Sequence, residues 1–475
     1  MTVFLEKTEY LYQTEKVIRL FLPFEKIIFN EEIENDRHLI TEFSGNTITA
    51  TLNFCGKTTT KQIEFCNEEK GLLKAVFLCF KEISKLDLEW GLLTGIRPER
   101  LFISLISQFG IDKATEIFKE DYLVKESKIE LLEKTAKSEE KIIALSKKES
   151  VSLYISIPFC PSKCAYCSFV SDATKKAALL IPQYVEKLII ELKETAKYVN
   201  EFNLKLETVY IGGGTPSMLT AEQFTVLLEA VNEYFNLKDI REFTVEMGRP
   251  DTTTKEKLMA VKPYATRICI NPQSLNNNVL KACGRNHTAE EFENAFNLAR
   301  ECGFNNINCD VIAGLPEDTP ESFLASLKAL IKLNPEGITV HTLSIKRAAN
   351  FYKNAYYEFD KGKEVALMTN GALKLLEQNG YNPYYLYRQS KTAGNLENVG
   401  YSKEGYEGLY NVYIMDETHT ILAVGAGAVT KLRKPFENKI ERIFNYKFPF
   451  EYINDFNEML IRKNQIGDFY NANCK

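Results

Sequence analysis

Three cysteines lie close together in the segment "IPFCPSKCAYCSF", at Cys160, Cys164 and Cys167. Three thiols on one loop are typical ligands of zinc or of an iron–sulfur cluster, and a pair of them can form a redox dithiol. A structural zinc site needs four ligands, and a dithiol needs only two thiols. The histidines of the chain are all far from this loop in sequence: His38, His287, His341 and His419. The spacing CxxxCxxC therefore favours a [4Fe–4S] cluster that leaves one iron open to a chelating amine and carboxylate, and the alternatives are zinc or thiols without a metal.

A run of three glycines in "YIGGGTPS" (residues 210–217) follows an apolar stretch. A run of glycines costs backbone entropy on folding, which favours a close approach of the main chain to something else. We interpret Gly213 and Gly214 as part of a turn whose amides and carbonyls face a bound cofactor, and an ordinary tight turn is the alternative.

Single polar residues accompany other apolar stretches further along the chain. Glu246 ends "FTVE", Gln273 follows "RICIN", and Asp310 lies in "CDVIAGLP" between apolar neighbours. A lone carboxylate at a strand end is usually a solvated cap, but at the rim of a barrel Glu246 could bind ribose hydroxyls. Taken one at a time, these residues are weak signals.

Short apolar stretches alternate with helical patterns from Val151 onward. The stretches are "LYISI", "TVYIG", "FTVE", "RICIN", "INCDVIAG" and "ITVHTL". Strands that alternate with helices imply a parallel sheet, because parallel neighbours need a crossover connection. Six such units predict an α/β fold, a full or partial (β/α)6 barrel whose site lies at the carboxyl ends of the strands.

The chain is predicted to have three regions: an N-terminal α+β domain of unknown role over residues 1–147, the barrel over 148–360, and a C-terminal region over 361–475. In the first, "NTITATLNFC" reads as a strand and "EEKGLLKAVFLCFKEISKL" as a helix, while the charged segment 119–150 predicts surface helices with solvated charges. In the last, "NPYYLYRQSK" predicts a strand, and residues 410–432 predict a hairpin that turns at Met415–His419 before a Gly/Ala loop.

Composition bounds the partners and the compartment. Lys and Arg number 59 against 64 Asp and Glu, a net charge of −5, so nothing attracts nucleic acid or anionic lipid in general. No stretch of about 18 apolar residues predicts a membrane span, and the first residues do not resemble a signal peptide. Eleven cysteines, an odd number, predict free thiols in a reducing cytoplasm.

The motifs taken as a series resemble the HemN group of radical S-adenosylmethionine (SAM) proteins, the oxygen-independent coproporphyrinogen III dehydrogenases and their relatives. The series is YxxxPFCxxxCxYC, GGGTP, Glu246, Gln273 with Arg285 twelve residues on, and "DVIAGLP". The stretches "EMGRPDT", "INPQSLN" and "HTLSIKRA" resemble the HemZ-type branch, which also has an N-terminal extension. The resemblance covers residues from about 151 to 435 and implies a radical SAM barrel followed by a HemN-like extension.

This resemblance implies a role for each matching residue. The cluster ligands are Cys160, Cys164 and Cys167. The contacts to the SAM on the cluster are Tyr154, Gly213 and Glu246. The contacts to a second SAM are Tyr166, Gly214, Thr215, Gln273, Arg285 and Asp310, and Val429 stands where the family has an aliphatic residue near these ligands. The chain departs from the family at Ser156, where the family has His, and at Val399, where it has Gln.

The resemblance also implies a reaction. In this superfamily the reduced cluster passes an electron to SAM, and the resulting 5′-deoxyadenosyl radical takes a hydrogen from the substrate. The expected reaction is the oxidative decarboxylation of two propionates of coproporphyrinogen III to the vinyls of protoporphyrinogen IX, with reduced flavodoxin or ferredoxin as electron donor. The four carboxylates of this substrate call for cations, and the candidates are Lys346, Arg347 and Arg249.

Two other functions stay open at the level of the sequence. HemW-like relatives are haem-binding chaperones whose C-terminal sequence contains HNxxYW. This chain has "NLENVGYSK" in that region, and its single tryptophan is Trp90, so the dehydrogenase is favoured. A radical SAM methyltransferase or other tailoring enzyme of the HemN type is the third candidate, and no residue pattern excludes it.

Overall fold

The N-terminal part of the chain is a five-stranded sheet with two helices packed on it. The computed structural model describes residues 1–31, 36–167, 173–344, 359–434 and 439–473. The sheet has the order β2-β1-β3-β4-β5. Its strands are β1 (Thr2–Leu5), β2 (Ile28–Phe29), β3 (Arg37–Ser44), β4 (Thr47–Phe54) and β5 (Lys57–Glu64), and its helices are α1 (Leu11–Phe21) and α2 (Glu68–Ser84).

The predicted strand and helix of this part are confirmed. In β4, Ile48, Ala50 and Leu52 alternate with more exposed threonines, and all three are fully buried. This period of two is what a half-buried strand requires, since successive side chains point to opposite faces. Helix α2 begins at Asn67, whose side chain accepts a hydrogen bond from the amide of Lys70 and so caps the first turn.

Three further helices connect this part to the large sheet. They are α3 (Pro98–Phe109), α4 (Ile111–Glu120) and α5 (Glu126–Ile143). Trp90, Phe102, Phe118 and Leu132 belong to the same hydrophobic core as the large sheet, whereas buried residues from Met1 to Leu88, together with Leu92, form a core of their own. The division of the chain at residue 147 stays a prediction.

The rest of the chain forms one eleven-stranded sheet. Its strands are β6 (Ser150–Ile157), β7 (Lys205–Gly213), β8 (Glu242–Gly248), β9 (Arg267–Ile270), β10 (Ile307–Ala313), β11 (Gly337–Thr342), β12 (Asn382–Arg388), β13 (Glu397–Ser402), β14 (Thr420–Val424), β15 (Val429–Arg433) and β16 (Ile440–Phe444). Strands β6 to β11 lie side by side and parallel in chain order, and β14 adds a seventh parallel strand beside β6.

Helices accompany this sheet, and those between β6 and β11 are the crossover connections that parallel neighbours need. The accompanying helices are α6 (Lys175–Ala178), α7 (Ile181–Glu201), α8 (Ala221–Tyr234), α9 (Lys255–Val261), α10 (Asn277–Ala282), α11 (Ala289–Glu301), α12 (Pro320–Lys332), α13 (Phe359–Gln378), α14 (Leu409–Asp416), α15 (Pro449–Asn454) and α16 (Phe456–Asn473). Capping boxes at Thr220 and Thr288 fix where α8 and α11 begin.

The predicted α/β radical SAM fold is confirmed in its six units and in its parallel order. The edge strands of the described sheet are β12 and β16, and the antiparallel strands β13 and β15 join them to the parallel strands. The predicted strand at "NPYYLYRQSK" is β12. None of the helices within the described ranges combines the length and apolarity that a bilayer crossing requires.

The predicted hairpin over residues 410–432 is wrong in its first half. Residues 409–416 form helix α14, and the hairpin is instead β14 and β15, which turn at the Gly/Ala loop. The carboxylate of Glu242 accepts hydrogen bonds from the amides of Leu409 and Tyr410, which caps the helix from a distant part of the chain. Tyr410, Val412 and Tyr413 are all buried, so the helix has too little polar surface to reveal its period in the sequence.

The predicted solvated charges of segment 119–150 are also partly wrong. Helix α5 buries Lys128 and Glu139, each only 1% exposed. The ammonium of Lys128 pairs with Glu397 on β13 at 2.5 Å and with Glu89 at 3.2 Å. Burial of this charge is tolerated because its partners come from elsewhere in the chain, and the pattern of the helix itself does not reveal them.

Candidate active site

A cavity of about 380 Å³ opens at the carboxyl ends of the parallel strands. All three cysteines of the loop line it, and so do nine of the ten predicted cofactor residues. The nine are Tyr154, Tyr166, Gly213, Gly214, Thr215, Glu246, Gln273, Arg285 and Asp310. Parallel neighbours end at one edge of a sheet, so residues separated by up to about 150 positions in sequence share one wall.

The cysteine loop is anchored by the chain on both sides. The amides of Gly214 and Thr215 donate to the carbonyls of Ile157 (2.9 Å) and Phe159 (2.7 Å). The amide of Ala165 donates to the carbonyl of Cys283 at 3.0 Å. The turn after β7 and the end of α10 therefore hold the loop from opposite directions.

The glycine run is explained by these close approaches. A Cβ atom at Gly214 would lie 2.6 Å from the carbonyl oxygen of Phe159, and one at Gly212 would lie 2.9 Å from the carboxylate of Glu246. Gly213 has φ +112°, a conformation that L side chains rarely adopt. The amides of Gly214 and Thr215 bind within the chain. The contact of Gly213 and Gly214 with a cofactor stays a prediction.

Side chains approach the sulfur atoms directly. The hydroxyl of Thr215 lies 3.4 Å from Sγ of Cys160. Two guanidinium groups lie within 4 Å of Sγ of Cys164: Nη1 of Arg285 at 3.8 Å and Nη1 of Arg249 at 3.9 Å. Both arginines are almost fully buried.

This environment fits an anionic cluster. Arg285 is 8% exposed, and in the part of the chain that the structure describes no carboxylate lies within ion-pair distance of it. A buried cation needs a counter-charge, which thiolates and a cluster would supply. Within the described ranges no three His, Cys, Asp or Glu side chains are close enough together to hold a single metal ion.

Glu246 lies in a tyrosine-lined part of the cavity. Its carboxylate accepts a hydrogen bond from the hydroxyl of Tyr210, whose ring stacks on those of Tyr410 (4.5 Å) and Tyr154 (6.2 Å). Burial raises the pKa of Glu246 to about 7, although the bond from Tyr210 opposes the change. Near neutral pH this carboxyl is therefore divided between its two protonation states.

Asp310 forms an ion pair with His341 on the neighbouring strand. Its carboxylate lies 3.6 Å from Nε2 of His341 and accepts a hydrogen bond from Asn308 at 2.8 Å. Burial alone would raise the pKa of Asp310, but the bonds from His341 and other donors lower it below its ordinary value. The same carboxylate raises the pKa of His341 against the opposite effect of burial.

Gln273 has an unmet hydrogen-bonding atom in the cavity wall. Its backbone lies between strands, with φ +66°, and its amide donates to the carbonyl of Asp310 at 2.9 Å. The side-chain oxygen is buried and has no hydrogen-bond partner. Burying an oxygen without a hydrogen-bond donor costs free energy unless a ligand or a water molecule donates to it. The position of this oxygen fits the predicted contact to a second SAM.

Some predicted residues lie elsewhere. Val429 is not part of the cavity lining, because β14 separates its strand, β15, from β6. The loop before it contacts β6 instead, where the hydroxyl of Ser156 donates to the carbonyl of Ala426 at 2.8 Å. Lys346 and Arg347 lie outside the described residues. Arg249 lines the cavity, but both of its terminal edges are engaged by the protein.

Sequence reasoning missed part of the lining. His341, Asn398 and Tyr387 all face the cavity, and the hydroxyl of Tyr387 lies 3.4 Å from Nδ1 of His341. The alternation of "ITVHTL" places His341 on the same face as Thr339, which a reading by strand period could have used. Asn398 and Tyr387 carry no such signal, because β12 and β13 join the sheet from far along the chain.

Comparison with known proteins agrees with this geometry. Residues 154–330 match the Radical SAM superfamily. The oxygen-independent coproporphyrinogen-III oxidase-like protein HemZ of Bacillus subtilis is 43% identical over 372 residues, 77% of this chain and 74% of that protein. The heme chaperone HemW of Haemophilus influenzae is 32% identical over 310 residues, 64% of this chain and 76% of that protein.

A solved structure shows the same fold. Coproporphyrinogen III oxidase (HemN) from Escherichia coli aligns with a TM-score of 0.53 and 21% identity, over 68% of this chain and 73% of its own. The superfamily implies a [4Fe–4S] cluster and SAM, and the cavity holds the cysteines that such a cluster needs. The chain therefore belongs to the radical SAM superfamily and, within it, to the HemN/HemZ group.

Proposed function

We propose that this chain catalyses the oxygen-independent oxidative decarboxylation of coproporphyrinogen III to protoporphyrinogen IX. The observation that carries the proposal is the similarity to HemZ, 43% identity over 372 residues, which spans the cysteine loop and the cavity wall. The relative's name, coproporphyrinogen-III oxidase-like, supplies the reaction class.

Different residues of the cavity would bind the cluster and each SAM. Cys160, Cys164 and Cys167 would hold the cluster, which together with SAM supplies one-electron cleavage and a hydrogen-abstracting radical. Tyr154, Gly213 and Glu246 would contact that SAM. The proposed contacts to a second SAM are Tyr166, Gly214, Thr215, Gln273, Arg285 and Asp310, supported by the unpartnered oxygen of Gln273.

The substrate's carboxylates need cations beyond the cluster. Arg249 is an unsuitable partner for them, because its guanidinium is bound to Asp251 and Ser162. Lys346 and Arg347 follow β11, whose carboxyl end forms part of the cavity rim. We expect the variant K346A/R347A to raise the KM for coproporphyrinogen III, and unchanged kinetics would remove both residues from the site.

Reduction of the proposed cluster requires an electron donor and a reducing compartment. A reduced flavodoxin or ferredoxin would reduce the cluster in a reducing cytoplasm. The acidic balance of the chain gives no reason to expect a nucleic-acid partner.

The decisive experiment is anaerobic turnover. Full-length protein is reconstituted with iron and sulfide and incubated with SAM, dithionite and coproporphyrinogen III. We expect vinyl-bearing product, CO2 and 5′-deoxyadenosine, all absent from the variant C164A. S-adenosylhomocysteine without CO2 would indicate a methyltransferase, and a reconstituted protein that consumes no SAM with this substrate would contradict the proposal.

A haem chaperone is the second candidate, favoured by the HemW relatives at about 30% identity. Residues 397–402, where the chaperone's characteristic residues are missing, form strand β13 within the sheet. Titration of the protein with haem separates the two functions. A stoichiometric shift of the Soret band without turnover of coproporphyrinogen III would support the chaperone.

A further inference from the structure

Two arginines from different elements converge on one sulfur atom of the cysteine loop. Arg249 follows β8 and Arg285 follows α10, and their Nη1 atoms lie 3.9 Å and 3.8 Å from Sγ of Cys164. Only 3% of Arg249 and 8% of Arg285 is exposed. Arg249 also donates to the hydroxyl of Ser162 at 2.8 Å, so it contacts the loop at two residues.

The two cations differ in how their charge is balanced. Arg249 forms two parallel hydrogen bonds with Asp251, at 2.9 Å and 2.8 Å, and this pair is close to neutral as a unit. The remaining contacts of Arg285 are the hydroxyl of Tyr166 (3.1 Å), the carbonyl of Asn271 (2.7 Å) and Nδ1 of His287 (3.4 Å). None of these groups is a carboxylate.

His287 adds no compensating charge. Burial, followed by the neighbouring cations Arg285 and Arg249, lowers the pKa of His287 to about 3. The imidazole is therefore neutral at physiological pH and accepts the hydrogen bond from Arg285. The positive charge of Arg285 is left facing Sγ of Cys164, which would be a thiolate in a bound cluster.

A cation beside a cluster ligand changes the redox balance of the cluster. Reduction adds a negative charge to the [4Fe–4S] core and its thiolates, and a nearby positive charge stabilises that reduced state. The interaction is strong in a buried site, where water screens it little. The reduction potential of the cluster should therefore rise with the net positive charge next to Cys164.

We propose that Arg249 and Arg285 are positioning residues that clamp Cys164 and raise the reduction potential of the cluster. Arg285 makes the larger contribution, since Asp251 neutralises most of the charge of Arg249. This raised potential makes the cluster easier for a protein electron donor to reduce. The inference rests on a cluster at the cysteine loop and is independent of which substrate the enzyme uses.

Redox titration of the reconstituted full-length protein tests the inference. The potential is measured anaerobically without SAM, by electron paramagnetic resonance of the reduced cluster, and normalised to iron and sulfide content. The variant R285Q should have a lower potential than the wild type, and R249Q a smaller decrease. D251N should have a higher potential, because it leaves the charge of Arg249 uncompensated.

Two further variants serve as controls. K134Q removes a positive charge from an exposed pair with Glu377, outside the cavity, and should keep the wild-type potential. R285K retains the charge at the site and should remain closer to the wild type than R285Q.

The result that would overturn the inference is a potential equal to that of K134Q in both R285Q and D251N. If R285Q binds no cluster, the reduction potential of D251N decides: an increase supports the inference, and no change or a decrease overturns it. Because the readout is the potential, it is obtained whether or not coproporphyrinogen III is converted. Failure of the clamp is thus distinguishable from failure of the proposed reaction.

Discussion

Gly214 lies in the turn after β7 and packs directly against the cysteine loop. Its amide donates to the carbonyl of Ile157, and no room remains for a side chain between it and Phe159. A single missing Cβ atom therefore sets the distance between the loop and the strand ends. The nine predicted cofactor residues line one cavity, and contacts of this kind help to fix where the strand ends lie.

The variant G214A should disturb the loop. The added Cβ atom would lie 2.6 Å from the carbonyl oxygen and 2.9 Å from the amide nitrogen of Phe159, and backbone cannot yield as a flexible side chain does. We expect destabilisation of roughly 1–3 kcal/mol and a cluster content below about half of the wild-type value. Thermal unfolding and iron and sulfide analysis measure both.

G95A is the matched control, because a Cβ atom at Gly95 would meet nothing within 4 Å and its backbone is not in the left-handed region. Equal cluster content in G214A and G95A would contradict the steric explanation.

Glu246 predicts a pH dependence of SAM binding. With its pKa raised by burial to about 7, the carboxyl is mostly protonated at pH 6 and mostly ionised at pH 8. The ionised form accepts more hydrogen bonds from ribose hydroxyls, so binding should strengthen by about tenfold between these values. Equilibrium binding of SAM to the reconstituted protein measures the effect.

The variant E246Q removes the titrating group at nearly constant shape. Its SAM affinity should be weaker at pH 8, and any pH dependence that it retains belongs to the amine of SAM or to other residues. An identical pH profile in E246Q and the wild type would separate Glu246 from SAM binding.

At the scale of elements, carboxyl groups from helix α14 and from the connecting helices α3 and α5 form a cluster. Glu99 on α3 and Glu139 on α5 are 2% and 1% exposed, and one carboxylate oxygen of each has no hydrogen-bond partner. Burial, with the charge of Asp416 on α14 adding to it, raises the pKa of Glu99 to about 8. Arg97 and Arg100 oppose this shift.

This cluster should make the protein less stable as pH rises. The folded protein keeps Glu99 protonated up to about pH 8, whereas the unfolded chain releases that proton above its ordinary value of 4.5. The contribution is therefore fully present below pH 4.5 and is lost as pH rises through 8. The variant E99Q should gain at most about 4 kcal/mol relative to wild type between pH 5 and pH 9, since each of about three pH units contributes about 1.4 kcal/mol.

Chemical denaturation at several pH values measures this difference. E290Q, at an exposed position in the first turn of α11, is the control and should change little with pH. A parallel stability profile for E99Q and wild type would show that Glu99 is ionised in the folded protein.

The sequence predicted those elements whose residue pattern is local. It failed to predict elements whose structure depends on contacts with distant parts of the chain. The six barrel strands are recognisable because both of their faces are largely buried, which leaves short apolar runs between helical patterns. Helix α14 was missed because its cap comes from Glu242, more than 160 residues earlier. Nine residues that line the cavity were predicted by resemblance. The approach of Arg249 to Cys164 depends on the direction of its side chain, which no sequence pattern reveals.

At the scale of the whole molecule, a buried ion network joins α5 to the large sheet. Glu397 on β13 accepts a hydrogen bond from Nε1 of Trp90 at 2.6 Å and pairs with Lys128 at 2.5 Å. Glu89 completes the network beside Lys128, at 3.2 Å. The network lies where the chain passes from the N-terminal core to the core of the barrel, so it links the stability of the two parts.

Removal of the positive charge of Lys128 on α5 should therefore destabilise the large sheet, although Lys128 lies on a connecting helix. The variant K128M leaves Glu397 buried without its ion-pair partner, whereas Glu89 keeps Lys125 at 3.5 Å. An unpaired buried carboxylate of this kind costs about 3–5 kcal/mol. K134M, on the same helix but in an exposed pair with Glu377, should cost at most about 1 kcal/mol. Both free energies are measured by denaturant unfolding, followed by circular dichroism and by the fluorescence of Trp90, the single tryptophan.

If the network joins the two parts, the unfolding transitions seen by both probes should shift together in K128M, because Trp90 reports on the junction and circular dichroism on the whole chain. A shift of the tryptophan signal alone would mean that the junction opens while the barrel remains folded, and the linkage would then be refuted.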